Sequence, residues 1–289
     1  MVRRAVVTAG TGGIGLETAL GLADAGFAVT VVGRNAERGA RAVERLNVRG
    51  AEGARFLRAD LSSLDEVRAL AAVIAGEGEV DVLVNNVGAM FADRVELGGV
   101  EGSFVVNHLS PYLLTELLLP VLRDRVVNVT SGAVVVAKKV FDAVEPPGGY
   151  YGFHWYGRAK LMNLAYTLDL ARRLEGSGVK VFAADPGGAA TDMTDGTMRS
   201  PKIVSPGLRV LWPLVRRTFE KSTSGPADVA ARSSILAATG DLPSGTVVGR
   251  HAVPVTPAKA AVDPQVQAAV RRLSERHAPL GRVPDGVSN

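Results

Sequence analysis

A tyrosine and a lysine four residues apart are the side chains of this sequence best suited to proton transfer. Tyr156 and Lys160 open a segment whose leucines at 161, 164, 168 and 174 follow a helical period. Residues four apart share one face of a helix, so the phenol and the ammonium are expected to be neighbours. Because a nearby ammonium favours a phenolate, we expect Lys160 to lower the pKa of Tyr156. A surface pair without chemistry is the alternative.

Two polar residues earlier in the chain are candidates for the same site. Ser131 follows an apolar run, and its hydroxyl can donate a hydrogen bond to a substrate carbonyl oxygen. The alternative is a serine that caps a turn. Asn107 lies in an apolar stretch, where an amide needs partners. It is interpreted as a helix-bending or water-holding residue, or as a satisfied core amide.

A glycine-rich loop follows the first apolar run and leads directly into a helical pattern. Gly10, Gly12 and Gly15 fit the spacing G-x-G-x-x-G. Glycines allow the backbone to approach a pyrophosphate, which then lies at the positive end of the helix. The spacing alone is weak in a chain with 33 glycines. Its position between a strand and a helix favours a dinucleotide site over an empty turn.

The end of the second predicted strand carries a positive charge. Folds that bind an unphosphorylated ribose usually present Asp or Glu there, whereas this chain has Arg34 followed by Asn35. A guanidinium pairs with a phosphate through charge-assisted hydrogen bonds. Arg34 therefore favours NADP(H) over NAD(H), with a solvated surface arginine as the alternative.

The elements that must position these residues alternate between short apolar runs and segments of helical period. This pattern predicts a doubly wound α/β fold, a parallel β-sheet of the Rossmann type, in which ligands lie at the carboxyl ends of the strands. The predicted strands are residues 5–8, 28–32, 54–59, 80–85, 125–130 and 179–184. The predicted helices before the last strand include residues 14–25, 37–48, 64–75 and 101–122.

Length and composition restrict the class of protein. The 289 residues carry a net charge of +4, which is too small to indicate a nucleic-acid partner. The absence of cysteine excludes disulfides and thiolate metal sites. Four histidines without paired spacing give no support for a metal site. No uninterrupted apolar stretch is long enough for a membrane span, so we expect a cytoplasmic protein.

Together these residues resemble the short-chain dehydrogenase/reductase family, especially its retinol-dehydrogenase-like and carbonyl-reductase-like branch. The resemblance runs from about residue 3 to residue 193. It is carried by the loop at 8–15, by Asp60 and Leu61, by the segment 85–88, and by Pro186 and Gly187 with Thr191, together with the four polar residues above.

The resemblance implies roles for individual residues. Tyr156 would be the proton donor, Lys160 its partner and a ribose ligand, Ser131 the carbonyl holder and Asn107 the anchor of a relay water. Cofactor contacts are implied for Gly10, Gly12, Gly13, Ile14, Gly15, Arg34, Asn35, Asp60, Leu61, Asn86, Gly88, Tyr156, Lys160, Pro186, Gly187 and Thr191. The family also implies a homodimer or homotetramer.

Two residues depart from the family pattern. Ala9 occupies the position of the first glycine, where Gly10 is expected to supply the missing flexibility, and Val87 replaces an alanine near the cofactor. Neither change removes a proton-transfer group. The first predicted strand begins within a few residues of Met1, so no membrane anchor is expected ahead of it.

The sequence is therefore interpreted as one domain, residues 1–289, with a substrate lid at about 188–225 and a C-terminal tail from about 251. The predicted function is reduction of an apolar, fairly bulky ketone or aldehyde with NADPH. A non-catalytic NADP(H)-binding regulator and an epimerase or dehydratase of the larger branch of the family are the alternatives.

Overall fold

The computed structural model describes residues 2–50, 52–145, 148–188, 203–210 and 225–281, and its centre is an eight-stranded sheet. The strands are β1 (Arg4–Thr8), β2 (Ala28–Gly33), β3 (Arg55–Arg58), β4 (Val80–Asn85), β7 (Leu122–Val129), β8 (Lys180–Ala184), β9 (Val247–Gly249) and β10 (Val253–Val255). A separate hairpin pairs β5 (Glu96–Leu97) with β6 (Val100–Glu101).

Helices cover both faces of the sheet. They are α1 (Gly13–Asp24), α2 (Ala36–Val48), α3 (Leu64–Gly76), α4 (Gly102–Phe104), α5 (Ser110–Leu118), α6 (Gly152–Arg173), α7 (Pro206–Val210), α8 (Ala227–Thr239), α9 (Lys259–Val262) and α10 (Pro264–His277). A π-helical turn, Val105–Leu109, joins α4 to α5, and a 3-10 turn, Gly132–Val136, follows β7.

The strands alternate their side chains between two apolar cores. In β4, Leu83 belongs to the core that contains α3, α5 and α6, whereas Val82 and Val84 belong to the core that contains α1, α2 and α8. Successive side chains of a strand point to opposite faces, so an uninterrupted apolar run is required where both faces are covered.

The sheet order is β10-β9-β8-β7-β4-β1-β2-β3, and only β10 is antiparallel to its neighbour among these strands. The chain starts at β1, extends outward to β3, and then returns to β4 on the other side of β1. This confirms the predicted doubly wound Rossmann fold. It also places the switch point, where such folds bind ligands, between the carboxyl ends of β1 and β4.

The helix predicted over residues 101–122 is present as one helical segment, Gly102–Val121, with a π-helical turn in its middle. At its centre Ser110 N–H donates to Val105 O, five residues back. Pro111 has no N–H to donate to Asn107 O, four residues earlier, and Asn107 itself donates from its side chain to Ser103 O at 2.9 Å. The prediction of a helix over this stretch is confirmed, and these two residues divert its backbone hydrogen bonds into the π-helical turn.

The C-terminal segment packs against the core helices. Asp169 of α6 accepts hydrogen bonds from Arg271 of α10, and His108 Nε2 lies 2.7 Å from Ser274 Oγ. The segment expected as a tail from residue 251 thus contains β10, α9 and α10. The stretch Gly102–Val121 is apolar enough to cross a membrane by composition, and 72% of its window is buried inside the domain.

Candidate active site

The glycine loop between β1 and α1 contains a strained alanine. Ala9 has φ 49°, in the left-handed region, and Gly13 has φ 52°. Gly10 N–H donates to Val32 O at 3.0 Å, and Gly10 is not among the residues with positive φ. The expectation that Gly10 would replace the flexibility of the missing glycine was wrong, because Ala9 itself adopts that conformation.

The amino end of α1 is open to an anion. Its cap residue, Gly12, makes no side-chain capping bond, and the first turn contains no acidic residue. A Cβ added to Gly12 would meet no atom within 4 Å, whereas a Cβ on Gly15 would collide with Ala9 O and the Asn86 amide. Unpaired amides beside open space fit the pyrophosphate of a dinucleotide. Ile14, in this first turn, is partly exposed.

Polar contacts fasten this loop to the end of β4. Thr8 Oγ1 accepts from Asn86 N at 2.9 Å and from Val87 N at 3.2 Å, and Asn86 Nδ2 donates to Ala9 O at 3.4 Å. The Asn86 amide therefore lies against the glycine loop. Val87 packs its side chain into the core beside α3 and α5.

The candidate contacts for the adenosine end of a cofactor lie at the ends of β2 and β3. The Arg34 side chain is 74% exposed, with Nη1 4.0 Å from Asp60 Oδ2, so its charge is accessible. Asn35 caps α2 by accepting from Arg38 N at 2.9 Å. Asp60 accepts from Ser62, and the side chain of Leu61 is buried in the core.

Lys160 is a buried cation that joins three elements. Its side chain on α6 is 2% exposed, and Nζ donates to Val129 O at 2.9 Å and to Val87 O at 3.2 Å. Burial lowers the pKa of Lys160 to about 8, while the nearby carboxylate of Asp185 opposes that shift. The ammonium is therefore mostly charged at neutral pH.

Tyr156 is also buried, and its pKa shifts opposite to our expectation. Burial raises the pKa of Tyr156 to about 12, a hydrogen bond with Ser131 lowers it, and Asp185 raises it further. Lys160 Nζ is 5.9 Å from the centre of the phenol ring, and its hydrogen bonds go to backbone carbonyls. The predicted lowering by Lys160 was wrong because spacing along a helix does not reveal burial. At neutral pH the phenol is protonated.

Asp185 is a site residue that sequence reasoning missed. It follows β8, and its carboxylate acts on the pKa values of both Tyr156 and Lys160. Asp185 Oδ1 accepts from Gly187 N at 3.0 Å, and Oδ2 is 3.6 Å from where a Cβ on Gly132 would lie. Its position at a strand end, one residue before Pro186, was the available signal.

Ser131 and Asn107 approach this centre from two sides. The Ser131 side chain lies near enough to the Tyr156 phenol to lower its pKa, and Ser131 Oγ accepts from Ala133 N at 3.2 Å. The Asn107 amide bonds to Ala89 N and O, at 3.1 and 2.8 Å. A Cβ on Gly88 would lie 3.3 Å from Asn107 Oδ1 and 3.4 Å from Lys160 Nζ. Asn107 thus fixes the chain beside the ammonium.

Apolar side chains surround the phenol. Tyr156 belongs to a buried cluster with partly buried neighbours, and the members are Met90, Ala133, Ile203, Val204, Ala92 and Phe153. Two of them come from the segment predicted as a lid at 188–225. Most of that segment, including Thr191, lies outside the described residues. At its base, a Cβ on Gly225 would come within 2.8 Å of Gly188 O.

The turn after β8 completes this edge of the sheet. Pro186 and Gly187 are partly exposed, and Gly187 has φ 69°. A Cβ on Gly187 would lie 3.2 Å from Nε of Arg250, which follows β9. Within the described residues, no group of three histidine, aspartate or glutamate side chains is arranged to hold a metal ion.

The geometry brings the candidate residues to one edge of the sheet, and comparison with known proteins identifies their family. The profile of the family described as short chain dehydrogenase matches residues 3–201. Mouse retinol dehydrogenase 12 is 34% identical over 227 residues, which cover 76% of this chain and 69% of that protein. Bovine dehydrogenase/reductase SDR family member 13 is 35% identical, covering 81% of this chain and 63% of its own length.

Solved structures agree with this result. An uncharacterized protein from Mycobacterium paratuberculosis has a TM-score of 0.75 and 30% identity, covering 96% of this chain and 93% of its own. The RhlG/NADP active-site complex from Pseudomonas aeruginosa has a TM-score of 0.64 and 27% identity, covering 86% and 94%. This chain belongs to the short-chain dehydrogenase/reductase family. It is an oxidoreductase that acts on CH–OH or C=O groups.

Replacing Ala9 with glycine should stabilise the protein. A side chain in the left-handed region costs about 1–2 kcal/mol, partly offset by the greater freedom of glycine in the unfolded chain. We expect Ala9→Gly to raise the free energy of unfolding by about 1 kcal/mol in urea titrations. Ala25→Gly, at φ −85°, is the matched control and should give no gain. A stability no higher than wild type for Ala9→Gly would contradict this account of the loop.

The buried Lys160 should make stability depend on pH. The pKa of Lys160 is 10.5 in the unfolded chain and about 8 in the folded protein. Between these values the unfolded chain binds more protons than the folded protein, so the free energy of unfolding rises with pH. Below pH 8 the full penalty is present. The unfolding free energy of wild type minus that of Lys160→Met should therefore increase by about 2–3 kcal/mol from pH 7 to pH 10.

Subtracting the variant removes the contributions of all other titrating groups. Lys180→Met is the matched control, because the Lys180 side chain is 42% exposed and its difference from wild type should stay nearly flat. A difference for Lys160→Met that is equally flat would show that Lys160 is not desolvated as described.

Proposed function

We propose that the protein reduces the carbonyl group of an apolar, fairly bulky ketone or aldehyde, using NADPH and with Tyr156 as the general acid. The observation that carries this proposal is a buried phenol, enclosed by apolar side chains, next to a buried ammonium. A positioned acid next to an apolar pocket suits protonation of an oxygen that gains negative charge.

The protonation state of Tyr156 favours reduction over alcohol oxidation. Reduction requires a proton donor, whereas oxidation requires a base that removes a hydroxyl proton. Because burial holds the pKa of Tyr156 at about 12, the phenol at neutral pH is a donor and is seldom a base. The carboxylate of Asp185 acts in the same direction.

The residues present fit a dinucleotide phosphate, and each has a distinct task. The open amides at the start of α1 would bind the pyrophosphate, Arg34 would pair with a 2′-phosphate, and Lys160 would bind the ribose next to the nicotinamide. When bound, NADPH supplies the hydride for the carbonyl carbon. Ser131 would hold the carbonyl oxygen within reach of the Tyr156 proton.

The substrate class follows from what surrounds the phenol. Met90, Ala133, Ile203, Val204 and Phe153 form an apolar cluster with Tyr156. Such a wall gains free energy from burying apolar substrate surface and offers little to a polar one. The name of the mouse relative, retinol dehydrogenase 12, supports an apolar alcohol or carbonyl compound.

Replacing Tyr156 with phenylalanine tests the assignment of the acid. Loss of the proton donor should lower the rate of NADPH oxidation with a bulky apolar ketone by at least about 100-fold. The dissociation constant of NADPH, measured by nucleotide fluorescence, should stay within about threefold, because the ring and its packing are retained.

Tyr166→Phe is the matched control. Tyr166 is a buried tyrosine of the same helix, hydrogen-bonded to Glu116 Oε1 at 3.2 Å, and its loss should leave turnover intact. Turnover retained in Tyr156→Phe would refute the assigned acid. NADPH binding without consumption over a panel of bulky and small ketones would favour a non-catalytic regulator, and success with small polar ketones alone would overturn the substrate class.

Reversing the charge of Arg34 tests the cofactor. Arg34→Asp would lose a charge-assisted pair with the 2′-phosphate and add repulsion, so the dissociation constant of NADPH should rise by about 10- to 100-fold. Binding of NADH should weaken much less. Arg41→Asp is the control, because it makes the same change of charge at an exposed position of the following helix, α2. Equal effects of the two variants on NADPH would remove Arg34 as the determinant.

A further inference from the structure

An arginine two residues after Tyr156 is almost completely buried. Arg158 of α6 is 2% exposed, and it lies between Tyr156 and Lys160 in the sequence. Residues two apart on a helix do not face each other, so the Arg158 side chain leaves the side of α6 that carries the phenol and the ammonium. Charged side chains are seldom buried to this extent unless they are paired, and the mechanism above does not use this one.

The guanidinium of Arg158 binds the backbone of one loop. Arg158 Nε and Nη2 donate to Val140 O at 3.1 and 2.7 Å, Nη2 also donates to Ala143 O at 2.7 Å, and Nη1 donates to Val144 O at 2.7 Å. The guanidinium carbon lies 5.2 Å from the centre of the Phe141 ring. One side chain thus holds three carbonyl groups and one aromatic ring.

These carbonyls belong to the connection between β7 and α6. The connection begins at Ser131, after β7, and ends at Gly152, where α6 starts. Its residues 137–145 form neither helix nor strand. Backbone carbonyls in such a stretch need donors from elsewhere when they are removed from water. Arg158 supplies these donors at the middle of the connection.

Both ends of this connection border the Tyr156 phenol. Ala133 near its start and Phe153 just after its end belong to the apolar cluster around Tyr156. His154 Nδ1 lies 3.0 Å from Val136 O, so the two ends are also joined to each other. A displacement of the middle would therefore reach the wall of the proposed substrate pocket from both sides.

The charge of Arg158 is balanced by a second buried group. Glu101 is 2% exposed and accepts from Ser103 N and Phe104 N, each at 2.8 Å, where it caps α4. The Glu101 carboxylate raises the pKa of Arg158, against the lowering by burial. Glu101 therefore offsets part of the free-energy cost of burying the Arg158 charge, without direct contact between the two side chains.

We propose that Arg158 is a positioning residue that fixes the connection 137–145 and thereby sets the size selectivity of the pocket beside Tyr156. The planar fork of arginine is required, because four hydrogen bonds leave from three nitrogens spread along the guanidinium, and the single ammonium nitrogen of a lysine could not reproduce them. The loop carbonyls would then lose donors, and the pocket wall would move. The effect on substrate size rests on the proposed function, whereas the binding of residues 137–145 by Arg158 does not.

The first experiment measures how firmly Arg158 holds residues 137–145, and it needs no enzyme activity. Amide hydrogen exchange of residues 137–145, followed by mass spectrometry, should be about tenfold faster in Arg158→Lys than in the wild type, because opening of the loop becomes easier. Arg172→Lys is the matched control, since Arg172 lies on the same helix with a side chain 63% exposed. An exchange rate in Arg158→Lys equal to that of the wild type would overturn the proposal.

The second experiment measures selectivity. In Arg158→Lys, the KM for a bulky apolar ketone should rise by about tenfold, while kcat for a small ketone and the KM for NADPH stay within about threefold. A merely structural role would reduce the active fraction for both ketones equally, and that result would refute the positioning role.

The two experiments distinguish failure of the proposal about Arg158 from failure of the proposed function. If the wild type oxidises NADPH with no ketone, the proposed function fails, but hydrogen exchange still tests whether Arg158 holds the loop. If the wild type is active and Arg158→Lys changes neither exchange nor selectivity, the function stands and the proposal about Arg158 is wrong.

Discussion

The active edge of this protein depends on one buried ammonium. Lys160 Nζ bonds to Val129 O at the end of β7 and to Val87 O just after β4, so it joins two neighbouring strand ends to α6. With Lys160 held there, Tyr156 lies one helical turn earlier on α6, next to Ser131 at the end of β7. Desolvating this cation costs free energy, as its lowered pKa indicates. Despite this cost, the site holds a positive charge at a position from which water is excluded.

A second buried polar network holds the same strands in register. Asn85 Nδ2 donates to Asn128 Oδ1 and Thr115 Oγ1, each at 2.8 Å, and Asn128 Nδ2 donates to Thr167 Oγ1 at 3.0 Å. This network links β4 and β7 to α5 and α6 below the catalytic edge. Because each amide needs particular partners, the network permits one arrangement of these four elements, whereas apolar contacts would permit several. The position of Tyr156 is therefore fixed from below as well as by Lys160.

The sequence predicted the sheet well because each parallel strand is an apolar run. The alternation of these runs with helical segments also predicted that the carboxyl ends of the strands meet at one edge of the sheet, where ligands bind. The predictions failed where a property depends on tertiary contacts. Spacing placed Lys160 near Tyr156, but burial and Asp185 decided the direction of the pKa shift. Apolar periodicity predicted the helical segment from α4 to α5, but it did not show that Asn107 and Pro111 divert its hydrogen bonds into a π-helical turn. The three-residue strands β9 and β10 are too short to show a period, and Asp185 carries no motif.

The amino ends of the first three helices differ in whether a side chain caps the backbone amides. Asn35 caps α2 and Ser63 caps α3, so side chains satisfy an amide at each of these amino ends. At α1 the cap is Gly12, which offers no side chain, and the amides remain open. A capping oxygen there would occupy the place of an anion and compete with it. The strained Ala9 just before this end is consistent with a loop shaped for binding, since a loop selected for stability alone would avoid a left-handed alanine.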